Sequence, residues 1–213
     1  PRAIADKYVA QNFIRQRSPY RWIMHLCLSG GCTLAFAITF PLVFGWVHFT
    51  TLPHDAEIYQ MRAFGVALDS FHVHSFKAFL AFNLLNFAAL AVLAGLAMAV
   101  FRRLTDRGER ATQRFFEDWL PLLLIFAVTA TGLMLTVSYK FLEGRGHSVI
   151  AVAHLVSVLA LIFHIPFGKL FHMFQRVCSL CVSLYRKAGD QPDVARAYCV
   201  RCGEDFASQM HVD

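Results

Sequence analysis

The sequence predicts an all-α fold: a four-helix transmembrane bundle with a small cytoplasmic metal-binding tail. Three observations lead there. Of the 213 residues, 57% are hydrophobic and only 16% are charged, a balance too apolar for a soluble domain that must cover itself with Lys and Glu. The apolar residues gather in four long runs, each sufficient for a hydrocarbon core about 30 Å thick, which takes roughly 20 helical residues to cross. Beyond the last run stand two closely spaced cysteine pairs.

Residues 1–21 contain Asp6, Lys7, Gln11 and Arg15 and lack the apolar core of a secretory signal, so they read as a cytoplasmic interfacial or partner-docking segment. The first span runs from Trp22 to about Phe49 and is followed by an outer loop at 50–71. The second covers about Val73 to Phe101. Phe116-Glu117-Asp118-Trp119 leads into the third, Leu120 to Tyr139, and the fourth covers Ser148 to about Phe174. Residues 22–176 thus form the bundle and 177–213 the tail. Ser29-Gly30-Gly31, Ala88-Ala89 and Gly95 lie within spans, where small side chains let helices approach closely.

Orientation follows from Lys and Arg near the span ends. Residues 1–21 hold five (Arg2, Lys7, Arg15, Arg17, Arg21), the loop 102–116 holds five (Arg102, Arg103, Arg107, Arg110, Arg114), and the tail after Gln175 holds five. The opposite loops hold Arg62, Lys140 and Arg145. Fifteen against three places both termini and the middle loop in the cytoplasm. The net charge of +6 is therefore a topology signal and indicates no nucleic-acid partner.

Ionisable residues inside a membrane are costly and point to function. His25, His154, His164 and His172 lie within or at the ends of spans. His154 and His172 are 18 residues apart, which on one continuous helix is five turns, or about 27 Å, along one face. Two imidazoles so placed suit two separate haem irons, each completed by an imidazole from a neighbouring helix, one near each membrane surface. His25, at the cytoplasmic start of the first span, pairs with His172 for the inner haem. For the outer haem, His74 is the first choice as partner of His154, with His72 and His48 competing. His164 lies about 280° round the helix from His154 and reads as a packing residue beside Pro166.

These features resemble the haem b membrane subunit (gamma subunit) of respiratory nitrate reductase and the cytochrome b subunits of heterodisulfide reductases. The resemblance rests on His154-Leu155-Val156, Pro166-Phe167 and His172, and extends to Arg21-Trp22-Ile23-Met24-His25, Arg102-Arg103, Asp118-Trp119-Leu120-Pro121 and Thr131-Gly132. It covers about residues 20–175. It implies two b-type haems in a bacterial or archaeal cytoplasmic membrane, exchanging electrons between a quinone and cytoplasmic iron–sulfur or catalytic subunits. In the nitrate reductase family the matching first helix carries two haem ligands ten residues apart; here the second position is Ala35. Four spans in place of five also favour the heterodisulfide-type branch. Lys169, Asp69 and Lys77 are positional candidates for a quinone partner, with Lys169 also suited to neutralise haem propionates or lipid phosphates.

The tail holds Cys178-Ser-Leu-Cys181 and Cys199-Val-Arg-Cys202-Gly203. Four thiolates at this spacing match a closed tetrahedral site, and a cytoplasmic compartment disfavours disulfides. Zinc is the first choice of metal, with iron or an iron–sulfur cluster the alternative. Cys27 and Cys32 read as packing residues of the first span. The combined expectation is a membrane cytochrome b subunit. A metal-ion transporter would need carboxylates in the spans, and a purely structural anchor with a zinc tail leaves the His154/His172 interval unexplained.

Overall fold

The computed structural model describes residues 11–189, 196–201, 203 and 205–207. Four of its helical stretches are long and apolar enough to cross a membrane. A single turn, α1 (Asn12–Arg15), precedes α2 (Pro19–Val43). Ser18 caps α2 by accepting from the Arg21 backbone N–H, and Pro19 stands in the first turn, where its missing donor costs nothing. Gln11 reaches back to donate to Ser29 Oγ at 2.9 Å, so the entry segment lies against the first span.

The first span stops at Val43, short of the expected Phe49, and the outer segment folds as a sheet. Strands β1 (Val47–Leu52), β2 (Asp55–Ala63) and β3 (Val66–His72) form an antiparallel meander. Its second turn pairs Ala63 with Val66 across Phe64 and Gly65, whose φ values of 49° and 83° make the positive-φ turn that matches strand twist. The bundle therefore carries one small sheet that the hydrophobic runs alone do not announce.

Helix α3 (Phe76–Thr105) has 30 residues, about 45 Å and longer than the hydrocarbon core needs. Phe49, Tyr59 and Phe71 of the sheet surround Phe82, two turns into this helix, with ring separations of 5.2–6.3 Å. Helix α4 (Arg107–Thr112) and a π-helical turn (Phe115–Trp119) lead into α5 (Leu120–Phe141). The fourth span begins with α6 (His147–His164).

The fourth helix does not continue to Phe174. Two short 3₁₀ turns, Ile165–Phe167 and Lys169–Phe171, separate α6 from α7 (His172–Gly189), with Gly168 extended between them (φ −116°, ψ 177°). Pro166 has no N–H to continue the helical ladder. His154 and His172 consequently sit on different helices, and the single-face geometry of five turns does not describe them. The boundary expected at 176/177 falls inside α7. Strands β4 (Arg196–Tyr198) and β5 (Asp205–Ala207) pair in the tail.

The main packing runs in chain order, α2 on α3, α3 on α5 and α5 on α6, while α2 and α6 touch at most sparsely. Close approach of α2 and α3 comes from small residues, as expected. A Cβ on Gly31 would lie 2.9 Å from the Ala88 carbonyl oxygen, and one on Gly95 would lie 2.9 Å from the Leu28 nitrogen. The buried core is small, with Leu96, Ala99 and Leu122 at its centre, because much of the apolar surface faces outward, where lipid is its solvent.

Candidate functional site

His25 and His172 meet at the cytoplasmic end of the bundle. Their ring centroids are 6.3 Å apart and the planes are inclined by 67°. His172 Nδ1 lies 2.6 Å from the Lys169 carbonyl oxygen, so it donates there and Nε2 is left as the free lone pair. This is the arrangement in which metal-binding imidazoles are oriented by a carbonyl behind them. Two imidazoles on opposite faces of one metal ion have centroids roughly 6–6.5 Å apart, from bonds of about 2.0–2.1 Å and about 1.1 Å from nitrogen to ring centre. The observed spacing fits. His25 Nδ1 is buried without a hydrogen-bond partner, a costly state for a ring nitrogen. With α2 and α6 at most sparsely in contact, these residues suit a flat group bound between two axial imidazoles.

The break after α6 positions His172. His164 is 6% exposed, its ring packs edge-on against Phe116 at 5.2 Å, and its Nε2 has no partner. A Cβ on Gly168 would stand 2.6 Å from that Nε2, so only glycine fits beneath the ring. His164 is thus a buried packing residue at the Pro166 break, as expected.

Charges ring this end. Lys169 Nζ pairs with Asp118 Oδ1 at 2.7 Å and with Glu117 Oε2 at 3.7 Å, and Glu117 also pairs with Arg114 at 3.2 Å. Arg103 donates to the Asp118 carbonyl oxygen. An open cavity of about 580 Å³ lies alongside, lined in part by Glu117, Pro166, Lys169, His172 and Gln175. Lys169, expected to meet propionates or headgroups, is held by acidic side chains at the start of the third span.

At the other end, His154 Nδ1 lies 2.9 Å from Thr131 Oγ1, leaving Nε2 free, and Gly132 lies directly beside the ring. His74, His72 and His48 are exposed. His72 bonds Glu57 at 2.8 Å and stacks near His74 at 5.5 Å. Among the described residues no second histidine ring contacts His154. Asp69 and Lys77 pair with each other at 2.8 Å, and the hydrogen bond from Lys77 holds the Asp69 carboxyl below its usual range. A polar chain is not evident from the sequence: Lys140 donates to Asn83 (2.8 Å), Asn86 to Asn83 (3.4 Å) and Thr136 to Asn86 (2.9 Å). Two asparagines in an otherwise apolar run were its available signal.

In the tail, Cys178 and Cys181 are exposed on α7, and Cys199 follows β4. Gly203, at φ +75°, donates its N–H to the Cys199 carbonyl at 2.9 Å, a tight turn of the kind expected there. Cys202 lies outside the described residues. Among those described, no three His, Cys, Asp or Glu side chains gather at one metal-holding point. Cys27 and Cys32 lie in α2, half-buried.

Over 170 residues, 76% of this chain, the sequence is 28% identical to a membrane-complex component of Methanosarcina barkeri (strain Fusaro), one of the subunits of its dihydromethanophenazine:CoB--CoM heterodisulfide reductase. The chain spans 59% of that relative's length. No family model matches the chain, and no solved structure does. The similarity supports the heterodisulfide reductase side of the resemblance and adds nothing to the nitrate reductase side. With four helices able to cross a bilayer, the chain is an integral membrane protein, distantly similar in sequence to part of a heterodisulfide reductase.

Proposed function

We propose that this chain is a membrane cytochrome b subunit, carrying electrons between a quinone and cytoplasmic iron–sulfur or catalytic subunits. The observation that carries the reading is the His25–His172 pair, 6.3 Å apart, with His172 Nδ1 held by the Lys169 carbonyl. A b-type haem, when bound, supplies a one-electron couple whose potential depends on axial ligands and surroundings. His25 and His172 would hold the inner group as axial ligands. The half-buried setting of His25 and the lipid-facing spans limit access of bulk water to this end of the bundle. His154, oriented by Thr131, would hold an outer group with a histidine drawn from His74, His72 and His48, of which His74 is preferred. Both termini would lie in the cytoplasm of a bacterial or archaeal cell, by the distribution of Lys and Arg.

The relative's name, as one part of a reductase, supports a place in a larger membrane complex. The chain would pass electrons, with chemistry on the quinone alone. In the tail, Cys178, Cys181, Cys199 and Cys202 would bind zinc, or iron, in a knob offered to the cytoplasmic partner.

A reduced-minus-oxidised optical spectrum of purified protein tests the reading. A sharp b-type difference band is expected. Its absence from protein made with haem supplied overturns the proposal. His172→Ala is expected to remove the inner haem and His154→Ala the outer, and unchanged haem content in both variants rules out these ligands.

A further inference from the structure

In sequence, the acidic residues before the third span form a lead-in and Lys169 stands as a lone cation. The structure joins them to His172. The π-helical turn Phe115–Trp119 presents Glu117 and Asp118 together to Lys169, with Asp118 Oδ1 at 2.7 Å and Glu117 Oε2 at 3.7 Å from its ammonium group. Such turns recur at functional positions because the extra residue re-aims side chains. Asp118 is the anchored partner. Its side chain is 12% exposed against 58% for Lys169, its Oδ2 accepts the Arg114 backbone N–H at 3.0 Å, and its carbonyl accepts from Arg103. The other end of the same lysine residue supplies the carbonyl that receives the His172 Nδ1 proton at 2.6 Å. The third span is thereby tied through one residue to the ring of an axial ligand.

We propose that Asp118 and Lys169 are a positioning and charge-setting pair for the His172 site. This rests on the cytochrome b reading above. The carboxylate pins Lys169, whose backbone orients His172, and the pair places compensating charges beside the imidazole. At a site shielded from water, single charges act on a redox couple more strongly than they do in solvent. Removing the carboxylate leaves an unbalanced cation, which disfavours the more positive oxidised form of a haem and raises its midpoint potential. Removing the ammonium group does the reverse. It leaves the backbone carbonyl in place, so it separates charge from ring orientation.

The test is a potentiometric titration of the purified full chain in lipid nanodiscs, followed at the b-type absorbance band, with His172→Ala identifying the inner component. Asp118→Asn is expected to raise the inner midpoint, Lys169→Met to lower it, and the double variant to return it toward the wild-type value. Haem content should stay at the wild-type level in Lys169→Met and in the double variant. Shifts of the same sign in both single variants, no shift in either, or no return in the double variant would overturn the proposal. If Asp118→Asn loses haem, the fall in Lys169→Met decides alone, and an unchanged potential there overturns it. A wild-type protein with no b-type band instead refutes the cytochrome reading itself, a result distinguishable from the others before any variant is made.

Discussion

Replacing Gly168 with Ala probes the step that separates α6 from α7. The backbone there is extended (φ −116°, ψ 177°) and accepts any residue, so the substitution introduces no torsional strain. The whole effect is steric. The new methyl would stand 2.6 Å from His164 Nε2, roughly an ångström short of ordinary contact. The ring cannot swing away freely, because it is 6% exposed and packed against Phe116. Overpacking of this kind costs about 1–3 kcal/mol, and the displaced segment carries the Lys169 carbonyl that orients His172. Thermal unfolding in detergent is expected to show a lowered midpoint for Gly168→Ala. Adding His164→Ala to it should remove the clash and recover part of the loss relative to His164→Ala alone. Gly168→Ala as stable as the wild type would show that the His164–Gly168 contact does not set this break.

Other perturbations address the remaining elements. Gly65→Val places a β-branched residue at φ +83° and is expected to destabilise the outer sheet by about 1–2 kcal/mol, read as faster backbone hydrogen exchange in β2 and β3. Asn86→Leu removes the acceptor of the Thr136 hydroxyl and should cost about 1 kcal/mol in bilayer unfolding measurements, since interhelical hydrogen bonds in membranes are modest; no loss would mean that the polar chain does not join α3 to α5. Asp69 has its folded pKa lowered by the Lys77 hydrogen bond. Its contribution is therefore present above the unfolded carboxyl pKa and lost as pH falls through the folded value. Lys77→Met should flatten that acid dependence in hydrogen exchange of β3 corrected for intrinsic rate, and an unaltered profile would contradict the assignment.

Length and polarity of the hydrophobic runs were enough to place four spans, because a bilayer demands about 20 apolar residues per helix whatever the packing. The small residues at Gly31, Ala88 and Gly95 announced where α2 and α3 approach, since only a short side chain permits it. The outer sheet was less legible. Val47–Leu52 continues the apolar run of the first span, and only the Phe64-Gly65 turn marks it as part of a hairpin. His25 and His172 were paired from their depth alone. Their distance, the Nδ1 bond to Lys169 and the part played by Asp118 depend on a helix break and a π-helical turn, where the chain leaves the 3.6-residue period that sequence reasoning relies on. Sequence by itself determined that this chain lives in lipid and that histidines are its unusual cargo. Tertiary structure decided which of them meet, because a meeting requires distant segments to be turned toward one another, and no local pattern encodes that.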